Sequence, residues 1–197
     1  MRNDNETPDV DALKNQFTPL VENGLFKSRT VLITGEINDR QARSVSERLL
    51  AMAGESDDPI TLIVSSPGGH VESGDMIHDM IKYIKPRIRV LGTGWVASAG
   101  ALIYVSAERE DRYCLPNTRF LLHEPRGGIG GSATEIDIQA REVLKMRERL
   151  NQIFAEATGQ PLEKIVKDTN RDHWMNAKEA KAYGVVGKII RSSSEMV

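Results

Sequence analysis

Apolar residues follow two different spacings along this chain. Short unbroken runs, Thr30–Thr34 (TVLIT), Ile60–Ser65 (ITLIVS) and Ile88–Leu91 (IRVL), have the make-up of strands buried on both faces. Between them Ala42, Val45, Leu49 and Ala53 recur at helical spacing, as do Met76, Ile77, Met80, Ile81 and Ile84. Asn38 is placed to cap the first helix, and Pro86 to stop the second. Three successive strand–helix alternations predict right-handed crossovers on a mostly parallel sheet. The third strand runs into a glycine-flanked turn, Gly92 to Ala97, and a small-residue helix, Ala99 to Val105, leaves it. Ser98 stands at that handover.

The second half of the chain reads differently. Arg112–Leu115 and Arg119–Leu122 predict two short strands around Pro116-Asn117, the second delivering His123 at its end. A glycine-rich segment, Gly127–Gly131, precedes Ser132-Ala133-Thr134-Glu135, a capping box that opens a long helix. Its apolar stripe is Ile136, Ala140, Val143, Leu144, Leu150, Ile153 and Phe154, and Gly159 can close it. Such a helix spans roughly 40 Å, about the width of a compact domain of this size. Part of it is therefore expected to project and meet another copy. A short helix (Leu162–Thr169), a helix capped by Asn176 with Glu179, and a last strand (Val185–Ile190) complete the reading. Residues 1–18 read as a mobile arm or leader and residues 19–197 as one domain, with 127–158 as its oligomerisation handle.

Composition narrows the classes. The chain has 197 residues, enough for one sizeable core, and with 5% aromatics that core must be aliphatic. A net charge of -2 without a basic block argues against nucleic acid as a partner. No stretch is apolar and long enough to span a bilayer, and the polar, acidic start is unlike a secretory signal. The lone cysteine, Cys114, lies in a strand-like run and reads as an inert core thiol in a reducing, cytoplasmic setting.

The candidate chemistry is nucleophilic. Ser98 at a strand–helix junction can gain exposure, with helix N–H groups facing developing negative charge. The G-x-S-x-G elbow is half met: Gly100 follows, but Val96 stands where the first glycine would be. A histidine can take the hydroxyl proton near neutral pH, and a carboxylate can fix its tautomer. His123 is the candidate base, and Asp172 and Asp168 compete for the acid on spacing alone. Gly69, in Ser66-Pro67-Gly68-Gly69, can turn a bare N–H into a cleft and with the Ala99 N–H form an oxyanion hole. His70 and His78 lack metal-ligand spacing and read as exposed helix residues, and His173 as a surface residue. No metal site or cofactor is expected.

In combination these segments resemble the proteolytic subunit family of the Clp protease. The matching pieces are Leu32-Ile33-Thr34-Gly35-Glu36-Ile37-Asn38-Asp39, Ser66-Pro67-Gly68-Gly69, Ala97-Ser98-Ala99-Gly100-Ala101, Cys114-Leu115-Pro116-Asn117, His123-Glu124-Pro125, Ala140-Arg141-Glu142 and Asp168-Thr169-Asn170-Arg171-Asp172. The resemblance covers about residues 30–190. It implies an α/β fold of the Clp-subunit and crotonase type: repeated β-β-α and βα units, a mostly parallel sheet, and a projecting handle of a strand plus the long helix. It implies a serine endopeptidase with Ser98, His123 and Asp172 as triad, and so selects Asp172 over Asp168. It further implies two stacked seven-membered rings enclosing a chamber. An ATP-driven unfoldase, not this chain, would use nucleotide and feed in unfolded protein.

Three departures from the family pattern bear on function. Thr18–Lys27 is too short to match the family's axial-pore loops, which concerns unfoldase docking. Trp95-Val96-Ala97 and Ala99 flank the serine where the family has Gln-Ala-Ala and Met, which points to an altered specificity pocket. Asn170 replaces an acidic residue that pairs with the arginine at Arg171 across the ring contact. These mark a divergent paralogue. A structural ring subunit assembling with an active paralogue is the alternative reading. An acyl-CoA hydratase or isomerase on the related fold would leave the serine and histidine without a role.

Overall fold

The computed structural model describes residues 10–128 and 130–196. Its frame is a seven-stranded sheet: β1 (Thr30–Thr34), β2 (Ile60–Ser66), β3 (Ile88–Ala97), β4 (Arg112–Cys114), β5 (Arg119–Leu122), β6 (His173–Asn176) and β7 (Lys188–Ile189). The path runs β1-β2-β3-β4-β7, with β5 also on β3 and β6 on β5. Every pairing is parallel except β5 with β6. Among the described residues seven α-helices accompany it: α1 (Val10–Lys27), α2 (Asp39–Glu55), α3 (Val71–Tyr83), α4 (Ala99–Tyr104), α5 (Ala133–Thr158), α6 (Leu162–Thr169) and α7 (Ala177–Tyr183).

The predicted periodicities account for most of this. The Asn38 side chain caps α2 by accepting from the Gln41 N–H, and Ala42, Val45, Leu49 and Met52 turn inward against the sheet. Ile77 and Ile81 do the same on α3. Fully buried Ile33, Leu49, Leu62, Ile77, Leu102 and Ile103 make an aliphatic core, each contributing about 1.5–3 kcal/mol by burial. It includes an edge-on Tyr104–Phe120 pair, with ring centroids 5.2 Å apart.

Several expectations need correction. The predicted turn after Leu91 is strand: β3 continues through Gly92 and Gly94 to Ala97. Its first part pairs with β4 and its last three residues with β5; between the two, Gly94 takes φ 61° and the register on β2 shifts, so the expected turn survives as a bulge within the strand. The strand predicted over 185–190 shrinks to Lys188–Ile189, because only β4 is available to pair with it. β6 lies in a polar stretch with no strand signal of its own; its partner β5 supplies the ladder. Met76 is 45% exposed rather than inward. Residues 10–18, read as part of the arm, belong to α1, and the first nine lie outside the described residues.

The long helix is capped as predicted. Ser132 and Glu135 form the capping box, and Gly159 closes the helix in the left-handed conformation at φ 73°. Two forked hydrogen bonds, 2.5 and 2.6 Å, tie Arg149 to Asp75 of α3. The trailing half buries Leu150, Phe154 and Ala155, whereas Ile136, Ile138 and Leu144 of the leading half remain exposed. The strand expected in the handle is absent among the described residues of 123–132. A strand needs a ladder partner for its backbone groups, and no strand pairing reaches the described residues of this segment.

Candidate active site

Sheet register assembles the site. β3 lies parallel to β5 with Ala97 opposite Leu121, and the Ser98 N–H donates to the Leu121 carbonyl at 3.0 Å. β5 lies antiparallel to β6 with Leu122 opposite His173. One further step along that register brings His123 opposite Asp172. The Glu124 N–H donates to the Thr169 carbonyl at 2.8 Å and holds the outgoing chain against the end of α6. Three residues distant in sequence thus arrive at neighbouring strand ends, where parallel sheets gather their binding groups.

Ser98 adopts φ 55°, ψ -122°. A non-glycine residue held there stores roughly 1–3 kcal/mol of backbone strain, the signature of a sharp strand-to-helix elbow. The missing first glycine of that motif is replaced from elsewhere in the chain. Gly68, at φ +97°, packs so closely that a Cβ on it would lie 2.6 Å from Ser98 Cβ and 2.9 Å from the Ala97 carbonyl oxygen. The turn carrying Gly68 is fixed on all sides. The Ser66 hydroxyl donates to the Gly35 carbonyl (2.6 Å) and accepts from the Gly68 N–H (3.0 Å). The Ile37 N–H donates to the Gly68 carbonyl (2.8 Å), and the His70 N–H to the Ile37 carbonyl (2.9 Å). Among the described residues the N–H groups of Gly69 and Ala99 have no acceptor.

Ser98 and His123 line one apolar recess with Ala99, Val71, Leu102, Pro125, Leu150 and Phe154. They make no hydrogen bond to each other among the described residues. Trp95 is not part of that recess; it is 46% exposed, beside Arg119 on the neighbouring strand. The Arg119 guanidinium in turn covers Trp174 at 4.3 Å. Of the two departures beside the serine, only Ala99 therefore touches the recess.

The imidazole side is looser. His123 Nδ1 lies 3.4 Å from Asp172 Oδ1, yet it is buried without a hydrogen-bond partner. The same carboxylate oxygen accepts from Arg126 Nη2 at 2.5 Å. Burial first, and the Arg126 cation second, hold the His123 imidazole below its ordinary value against the opposing pull of Asp172 and Glu124. Sequence reasoning misses Arg126; the available signal is a cation three residues beyond a candidate base.

The remaining candidates separate cleanly. Asp168 accepts from the Tyr183 hydroxyl at 2.8 Å and pairs with Lys164, which places it in a structural cluster away from His123. His70 Nδ1 meets the Ser73 hydroxyl at 2.8 Å. His78, expected to be exposed, has a side chain only 12% accessible and pairs with Asp79. His173 tilts against Tyr183 rather than facing solvent freely. Arg171 is exposed and makes no ion pair among the described residues. Cys114 is buried, and burial pushes its thiol up to about 12. Among the described residues no cluster of three or more His, Cys, Asp or Glu could hold a metal, and no helix is long and apolar enough to cross a membrane.

Known proteins similar in sequence and shape point one way. The Clp protease family matches residues 14–193. The "ATP-dependent Clp protease proteolytic subunit 3" of Rhizobium meliloti is 58% identical, with all of both chains covered. Subunit 2 of Gluconobacter oxydans is 62% identical over 89% of this chain and 80% of its own. Among solved structures, ClpP1 from Listeria monocytogenes superposes with a TM-score of 0.82 at 51% identity, covering 90% of this chain and 99% of that one. With a full-length relative, a family match over most of the sequence and a shared fold in agreement, the chain belongs to the Clp protease family and is a proteolytic subunit of that kind.

Proposed function

We propose that this chain is a serine endopeptidase in which Ser98 is the nucleophile, His123 the general base and acid, and Asp172 the orienting carboxylate. The observation that carries the reading is the register that sets Ser98, His123 and Asp172 on consecutive strand ends. Because His123 Nδ1 faces Asp172, Nε2 is left to serve the hydroxyl. Ser98 Oγ attacks the scissile carbonyl carbon and His123 Nε2 takes its proton. The oxyanion is held by the Gly69 and Ala99 N–H groups, which lack acceptors of their own. His123 then protonates the departing amine, and water, deprotonated by the same imidazole, hydrolyses the acyl-enzyme. The step needs no cofactor of this chain.

The exposed apolar half of α5 supports assembly with other copies, read as two stacked heptameric rings. A Clp ATPase would deliver unfolded protein to the chamber, in the cytoplasm. Relatives designated subunit 2 and subunit 3 support the reading as one paralogue among several.

The test is labelling with a fluorophosphonate, wild type against Ser98→Ala. Labelling of the wild type alone, with Ser98→Ala inactive on peptides, is expected. Labelling that survives the substitution would remove Ser98 as nucleophile. A second reading, an inactive structural subunit that assembles with an active paralogue, is favoured by the unpaired His123 Nδ1. It predicts no labelling of a folded, assembled wild type, alone or with a paralogue.

A further inference from the structure

One cation competes for the candidate triad. Arg126 Nη2 and His123 Nδ1 approach the same oxygen of Asp172, at 2.5 and 3.4 Å. Only the arginine makes the hydrogen bond, and the imidazole nitrogen stays buried and unsatisfied. A buried ring nitrogen without a partner is costly, and an imidazole without its acceptor is free to present the wrong tautomer to the serine. Arg126 is more than half exposed, so little packing holds it there. The next residues, Gly127 and Gly128, stand in open space, and the loop can carry the guanidinium away without repacking the core.

We propose that Arg126 is a positioning residue that withholds Asp172 from His123, keeping the resting site below its full activity until the loop withdraws it. The proposal rests on the assignment of Ser98, His123 and Asp172 given above. Once the guanidinium leaves, Asp172 Oδ1 is available to the Nδ1 proton, Nε2 presents its lone pair to the Ser98 hydroxyl, and no atom is added or lost. Other charges bear on the imidazole. Glu124 follows it in the chain and is paired with Arg147 of α5 at 3.2 Å; Asp172 and Glu124 favour the protonated ring, whereas Arg126 opposes it.

The test uses the full-length protein and a fluorogenic peptidyl-coumarin amide. Arg126→Gln should raise kcat at least about threefold with KM little changed. It should also move the acid limb of the kcat/KM profile to higher pH, since removing a cation raises the imidazole's proton affinity. Arg126→Lys keeps the charge but loses the planar fork, so it should keep the limb in place and give a smaller gain. In an Asp172→Asn background, Arg126→Gln should give no gain, because no carboxylate remains to release. A fall in kcat, an unmoved acid limb, or an equal gain without Asp172 would each overturn the proposal. Should Arg126→Gln assemble poorly, Arg126→Met carries the same expectations. Introducing Ser98→Ala into the Arg126→Gln variant separates the two levels: hydrolysis that persists there refutes the assignment of the nucleophile. Loss of hydrolysis there, with no gain from Arg126→Gln itself, refutes only the role of Arg126.

Discussion

The two sides of the candidate site are built by different means. The serine side is backbone: Ser98 is locked by its N–H bond to Leu121, by a strained elbow and by Gly68 pressed against its Cβ. The acid–base side is made of side chains: a half-exposed carboxylate is shared unequally between an arginine and an imidazole. Main-chain geometry leaves the Ser98 backbone almost no freedom, while a rotation of a few side-chain bonds redistributes Asp172. On the proposed assignment, a peptidase built this way would keep its nucleophile and oxyanion donors in place and still regulate its base.

That contrast is sharpened first at Gly68. Gly68→Ala places a methyl group against Ser98 Cβ and the Ala97 carbonyl, at a φ that side chains rarely adopt. Displacing the nucleophile by about 1 Å costs roughly 10²-fold in activity, so a loss of at least that size in peptide hydrolysis is expected. Added backbone strain should lower stability by about 1–3 kcal/mol, readable by denaturant unfolding. Full activity would show that the turn does not hold the serine. Next comes Asp172→Asn. Removing an engaged orienting carboxylate costs about 10⁴-fold in the Ser-His-Asp template; here Arg126 already diverts it, so a loss of only about tenfold is expected in the otherwise unaltered chain. In the Arg126→Gln background the penalty should grow by the factor that Arg126→Gln itself gains, to about thirtyfold or more, because the imidazole has by then come to depend on that oxygen.

The smallest effect is on pH. In its proposed role His123 would act as a base only when neutral, and its burial and the nearby Arg126 both disfavour the protonated form. The acid limb of kcat/KM should therefore lie below the value of a free imidazole, about 6.5, and activity should persist into mildly acidic solution. The same shift links to stability. With the folded-state value depressed, the unfolded chain binds the proton more readily, so this contribution is present above the unfolded value and is lost as pH falls through the folded one. A limb at or above the free-imidazole value would mean that Asp172, not Arg126, dominates the ring.

What the sequence discloses and what it hides follow the same divide. Caps and turns are local, and Asn38, Ser132, Glu135, Gly159 and Asn176 are all readable because each needs only its near neighbours. The strand end bearing His123 is readable from a short apolar run, and Ser98 from the junction with the small-residue helix, although the strand before it runs on past Leu91 to Ala97. Their convergence with Asp172 is not, because β6 is a polar stretch that becomes strand only by pairing with β5, some fifty residues earlier. Spacing therefore leaves Asp168 and Asp172 equivalent, and the family likeness chooses between them. The structure separates them physically by binding Asp168 to Tyr183 and Lys164. Arg126 escapes notice because a lone cation beside glycines carries no periodic signal; its meaning lies wholly in an oxygen that another segment supplies.

The β5–β6 ladder has one more consequence. Side chains along a strand alternate between faces, so slipping that ladder by a single residue would turn the imidazole and the carboxylate to opposite sides. Intermediate degrees of misalignment are closed to it: the pairing is either in frame or useless. Gradual warming should leave hydrolysis intact until this short antiparallel seam separates, and then extinguish it in one step.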